Sequence, residues 1–137
     1  MRQLDVVKDD EWGLYPNFKK EEFACHHTGL CFMTHRFMDT LQKIRTQYGK
    51  PMIISSGYRD VSHPAERDKR EPGEHTMGLA ADILVYGTDA MNLFHDAILM
   101  GIQRVGVSQK GDVCKRFLHL GMGNEVDPRF PISIWSY

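Results

Sequence analysis

The sequence predicts a single α+β domain, and three observations carry that expectation. Phe37, Met38, Leu41, Ile44 and Tyr48 recur at three- and four-residue steps, the apolar stripe of a helix. Ala80 to Val85 and Arg116 to Met122 follow the two-residue period of strands, in which successive side chains point to opposite faces. At 137 residues the chain is long enough for one core and too short for two ordinary domains.

The elements follow in order. Asn17 or a neighbour caps a short helical turn from Lys19 to Phe23. A helix runs from Thr34 to Tyr48, and Gly49 stops it in a left-handed conformation that glycine adopts cheaply. Pro51 to Ser56 reads as a buried strand that delivers Gly57, Tyr58 and Arg59 at its end. Asp60 to Gly73 is a polar loop, of the length at which loops become functional. The charges Arg67, Asp68, Lys69 and Arg70 in it read as a solvated face. Pro72-Gly73 leads into a loop carrying His75, a turn at Gly78 and the Ala80–Val85 strand. Thr88 caps a second helix, Asp89 to Met100, buried through Leu93, Phe94, Ala97 and Ile98 and ended by Gly101. Asp89 in its first turn suits the helix dipole, and His95 reads as a surface residue. Arg104 to Val107 is a third strand, Gln109 to Lys115 a turn, and Glu125 to Pro131 leads to a short strand ending at Tyr137.

Composition narrows the function. The net charge is −1 and no Lys/Arg-rich run appears, which argues against a nucleic-acid partner. No apolar stretch is long enough to span a membrane, and Met1 to Trp12 lacks the pattern of a signal peptide. On these grounds the chain is expected in the cytoplasm, and as a monomer. Three cysteines do not make a disulfide framework. Cys25-His26-His27 with Cys31 could form a second, structural metal site. Their spacing is not that of a known zinc finger, which favours reduced thiols and surface histidines in a loop.

The chemistry is expected around His75, Asp82 and His119. Ala81, Ile83 and Val85 share one strand face and Asp82 takes the other. Leu118, Leu120 and Met122 share one face of the later strand, leaving Phe117, His119 and Gly121 opposite. If the two strands pair, Asp82 and His119 project from the same side, where His75 can fold back. Two imidazoles and a carboxylate can hold zinc with one position open, the catalytic arrangement. The alternative is a buried or surface His and Asp with no metal.

His75-x-x-Gly78-x-Ala80-x-Asp82, followed by Phe117-Leu118-His119, resembles the zinc D-Ala-D-Ala carboxypeptidase and endopeptidase family. Ser56-Gly57-Tyr58-Arg59 looks like its S-G-Y-R segment. His63-Pro64-x-Glu66 and Ile134-Trp135-Ser136-Tyr137 look like its phage-associated branch. The resemblance covers the chain from about Phe18 onward. It implies the hedgehog/DD-peptidase fold, a small antiparallel sheet flanked by helices, with one zinc ion and a peptidoglycan peptide as substrate. It also implies that Arg59 faces the metal and holds substrate, where its planar fork suits a carboxylate or polarised carbonyl. The sequence departs from the family at two positions where an acid is common: Arg116 stands three before His119 and Gly121 two after it. The candidates for proton transfer are therefore Asp112, His63 and Glu66, with Glu74, Glu125 and Asp127 behind them. A wall-binding domain that holds zinc without catalysis is the alternative function, and a structural zinc domain built on Cys25 and Cys31 a further one.

Overall fold

A computed structural model describes residues 5–137; the first four residues of the polar N-terminal stretch lie outside them. Helix α1 spans Lys20–Phe23, α2 His35–Tyr48 and α3 Gly87–Leu99. Strands β1 (Ile53–Ser56), β2 (Ala80–Leu84), β3 (Arg104–Ser108), β4 (Phe117–Gly121) and β5 (Ser133–Ser136) form one sheet in the order β1-β2-β4-β3-β5. The first four strands pair antiparallel; β5 joins β3 in parallel, so the sheet is mixed. No helix among the described residues is long and apolar enough to cross a membrane.

The core lies between one face of this sheet and the helices. Phe37, Met38, Leu41 and Ile44 of α2 pack in one cluster with Leu93 and Ala97 of α3 and with Ala81, Ile83, Val105, Leu118 and Leu120 of the sheet. Full burial of each Leu or Ile side chain stabilises the fold by roughly 1.5–3 kcal/mol. Gly49 ends α2 with a φ of 78°, as the sequence predicts.

Several local expectations change. Pro51–Ser56 is not a buried strand: β1 is the sheet edge and Ile53 is 63% exposed. Thr88 does not cap α3. Gly87, with a φ of 62°, opens the helix two residues before Asp89, behind Tyr86. Ile98 is exposed and Ala90 buried, because the inward stripe runs through positions 90, 93 and 97. Of Asn17 and its neighbours it is Lys19 that caps α1, its N–H donating to Glu22 Oε1 at 2.8 Å; the Asn17 side chain instead accepts a hydrogen bond from Gln42 Nε2 at 2.7 Å.

Two tight contacts hold the segments that carry the site. Gly78 adopts a φ of 69°, and a Cβ there would collide with the Phe32 carbonyl oxygen. Its own carbonyl accepts hydrogen bonds from Thr34 N at 3.0 Å and Thr34 Oγ1 at 2.9 Å. Thr34 also caps α2, so one residue ties the start of that helix to the turn after His75. Gly78→Ala should therefore destabilise the protein by at least about 1–3 kcal/mol, the cost of the backbone conformation alone. Urea unfolding measures this, and a midpoint equal to the parent's would contradict it.

Candidate active site

Strand register builds the site. Ser56, Asp82, His119, Gly106 and Trp135 lie opposite one another in one row across all five strands. The row occupies the face away from the core, because Ala81 and Ile83 flank Asp82 and Leu118 and Leu120 flank His119 with their side chains in the core. At the β1 end an irregularity between Ile54 and Ser56 sets Ser56 rather than Ser55 opposite Asp82. A bulge re-aims side chains in this way. At the other end Gly106 leaves room for the Trp135 indole, which a Cβ would meet at 2.7 Å. The indole then reaches the His119 ring, with centroids 5.2 Å apart.

His75 enters from the preceding loop. Its Nδ1–H donates to the Gly57 carbonyl at 2.8 Å, which fixes the ring and turns Nε2 toward Asp82 Oδ1, 3.4 Å away. Gly57 can offer that carbonyl because the chain crosses α1 closely there; a Cβ would lie 2.7 Å from Phe23 Cα. His119 Nδ1 lies 2.9 Å from the same Asp82 oxygen. The ligand atoms of these three buried residues all lie within 4.8 Å of one another. Two imidazole nitrogens and a carboxylate oxygen converging from a loop and two strands fit a divalent metal of the zinc type.

The charges agree with the geometry. Burial pushes the Asp82 carboxyl up, but hydrogen bonds and charge from His119 and His75 hold it well below the usual carboxylate range. Burial pushes His119 down, but Asp82 and Glu74 at its two nitrogens raise it above its ordinary value. The stability linked to His119 is present below about pH 6.5, its unfolded value, and lost as pH rises through the folded one. That linked to Asp82 is present above the unfolded value and lost as pH falls through the lowered one. In chelator, the protein should therefore be most stable from about pH 4 to 6.5 and melt at lower temperature as pH is raised further. A melting temperature that climbs steadily from pH 6 to 9 would contradict this. Zinc affinity should rise over the same range, because the ligands must be deprotonated to bind.

The ligand row forms one wall of a cleft of about 330 Å³ that is also bordered by Arg59, Glu66, Lys69, Glu74, Arg104, Phe117, Phe130 and Tyr137. Arg59 Nε donates to Ser56 Oγ at 3.0 Å, and longer contacts of 3.4 and 3.5 Å reach Asp82 and Glu66. Glu66 is buried and accepts from Lys69 Nζ at 2.9 Å and Thr76 Oγ1 at 3.1 Å. Burial pushes its carboxyl up, yet Lys69, Thr76 and Arg59 together hold it below its ordinary value.

The remaining sequence candidates fall elsewhere. Asp112 caps a short 3-10 turn, Val113–Lys115, by accepting from Cys114 N at 2.9 Å, and does not border the cleft. His63 uses Nδ1 to accept from Ala65 N at 3.0 Å and faces the His27 ring rather than His75, Asp82 or His119. Cys25 and Cys31 are buried free thiols, with His26 and His27 exposed beside them.

Sequence reasoning passed over several cleft residues. Lys69 is exposed, as the solvated-face reading has it, but its Nζ reaches Glu66 at 2.9 Å and so borders the cleft. Arg104 lies between the Trp135 and Phe130 rings, 5.0 and 5.3 Å from their centroids. Its Nε is 3.0 Å from Glu74 Oε2, although the N–H is not aimed along that contact. Glu74, a reserve candidate in sequence, has Oε1 2.6 Å from His119 Nε2. The available signal was Gly121, a glycine inside a strand two residues from a ligand, since strand glycines mark close approaches.

A search of curated proteins found no match. The family model for Peptidase M15 matches residues 16–120, a stretch that includes the S-G-Y-R segment, the His75 loop, β2 and β4 as far as Leu120. With that match added to three buried side chains placed so that they could hold a metal ion, the chain belongs to the M15 family of zinc peptidases.

Proposed function

We propose that this chain is a phage- or prophage-encoded zinc peptidase that hydrolyses peptidoglycan stem peptides or their cross-links. The observation that carries the reading is the convergence of His75, Asp82 and His119 on a cleft that also presents the Arg59 guanidinium. The phage origin rests on the likeness of His63-Pro64-x-Glu66 and of the Ile134–Tyr137 stretch to that branch. The protein would act as a monomer on the cell wall, reaching it by release from the cytoplasm or with a virion.

His75, Asp82 and His119 would hold one zinc ion. When bound, zinc supplies Lewis-acid polarisation of the scissile carbonyl and a water acidified toward neutrality. Arg59 is the substrate-holding residue. Ser56, Asp82 and Glu66 aim its fork into the cleft, where a peptide carboxylate or a developing oxyanion can take it. Lys69 and Arg104 also border the cleft, each beside a carboxylate, Glu66 and Glu74.

Proton transfer needs a group on the cleft wall. Of Glu66, His63 and Asp112, Glu66 alone borders the cleft. Glu66→Gln should lower turnover by about 10²–10⁴-fold with zinc retained, the usual contribution of a general base. His63→Ala and Asp112→Asn should cost far less. Turnover of Glu66→Gln within a few-fold of the parent would remove Glu66 from this role.

The test of the function is digestion of purified sacculi by the zinc-loaded protein, with products identified by mass spectrometry. New amino and carboxyl termini within stem peptides or cross-links are expected. Retained zinc and sacculus binding without any cleavage would favour the non-catalytic wall-binding domain instead.

A further inference from the structure

We propose that Glu74 is a positioning residue. Its buried carboxylate, seated in space left by Gly121 and Gly123, holds the His119 ring so that Nδ1 is the nitrogen presented to the metal. The inference rests on the zinc reading of His75, Asp82 and His119.

A buried carboxylate is costly unless it is paired and hydrogen-bonded. Glu74 is 5% exposed and meets that condition with three partners. Oε1 accepts from His119 Nε2 at 2.6 Å. Oε2 accepts from Gly123 N at 3.0 Å and lies 3.0 Å from Arg104 Nε. Arg104 is itself fixed, donating through Nη1 to the Pro131 carbonyl at 2.6 Å between its two aromatic neighbours.

The backbone around Glu74 leaves room for its carboxylate. A Cβ on Gly121 would collide with the carboxyl group, and one on Gly123 would lie 2.8 Å from Oε2. Position 121 is on the His119 side of β4, so a side chain there would occupy the space that Glu74 fills from the loop. The chain thus brings a carboxylate to His119 from 45 residues away.

The consequence for the ligand set follows from the two histidine nitrogens. His75 gives its Nδ1–H to a carbonyl and turns Nε2 to Asp82; His119 gives its Nε2–H to Glu74 and turns Nδ1 to the same oxygen. Each ring therefore has its ligating atom selected by the bond its other nitrogen makes. A carboxylate acceptor also makes the imidazole a more basic ligand than a carbonyl does.

Zinc affinity of the full chain, measured by competition with a chromogenic chelator, tests this directly. Glu74→Ala should weaken zinc binding by about 10–100-fold, the scale of losing such a partner. Glu74→Gln should lose less, since its amide oxygen still accepts from Nε2. Glu74→Ala combined with Gly121→Asp returns a carboxylate to the vacated space and should bind more tightly than Glu74→Ala alone. In ¹⁵N NMR spectra of the zinc-loaded parent, the His119 proton should sit on Nε2. A folded Glu74→Ala protein with the parent's affinity would overturn the proposal. If that variant does not fold, Glu74→Met, which fills the space but offers no oxygen to Nε2, decides: parent affinity with an unchanged Nε2–H resonance overturns it. A parent that binds no zinc overturns the metal reading and this inference together; a parent and Glu74→Ala that bind equally overturn this inference alone.

Discussion

Replacing His75, Asp82 or His119 with alanine should strip the protein of zinc and of peptidase activity together. Structural zinc sites bind with roughly 10–16 kcal/mol shared over four ligands, so one ligand is worth roughly 3 kcal/mol, or more than 100-fold in affinity. The three variants should differ in their metal-free stability. His75→Ala removes a ring held by one carbonyl and one carboxylate contact. Asp82→Ala leaves His119 and Arg59 without their shared carboxylate, in a site where breaking a buried pair costs about 3–5 kcal/mol. His75→Ala is therefore the cleaner test, and Asp82→Ala should show the larger drop in melting temperature in chelator. Metal analysis after dialysis reads the first effect. Full zinc occupancy in all three variants would remove the assignment.

Arg59→Ala should lower kcat/KM by roughly 2–4 kcal/mol in transition-state terms, the scale of one oxyanion donor. Arg59 also touches Asp82, so zinc content must be measured alongside. Arg59→Lys separates the two effects. It keeps a positive charge near Asp82 but loses the planar fork, so zinc should stay while most of the rate is lost. A lysine variant with parent activity would mean that charge alone suffices, and an alanine variant with parent activity and intact metal would take Arg59 out of substrate binding.

The parts of the site that were legible in sequence are those set by strand period and local turns. Alternation about Asp82 and His119 separates each from its apolar neighbours because consecutive side chains in a strand must point oppositely. That is a property of the local backbone and survives any choice of partner strand. Gly49 and Gly78 were legible for a similar reason, since left-handed turns select glycine. The helix stripe of α2 was legible through its period, whereas Ile98 of α3 was misplaced because it lies at the margin of the stripe, where neighbours decide.

Sequence alone determined that this chain is an α+β domain with Asp82 and His119 on the non-core side of its strands and His75 in the loop that leads to them. Only the tertiary structure decided what surrounds them. Pairing of β2 with β4 set Asp82 opposite His119 rather than one residue off, and the β1 irregularity chose Ser56 as the support for Arg59. Asp112 lost its place because a short-range cap on Cys114 claims its carboxylate. Glu74 gained one through a contact across 45 residues, into space that exists only because two glycines of another segment pass there. Strand alternation is encoded within a few residues and can be read directly. A carboxylate's partners depend on which distant backbone leaves room for it, and that is settled only when the whole sheet has formed.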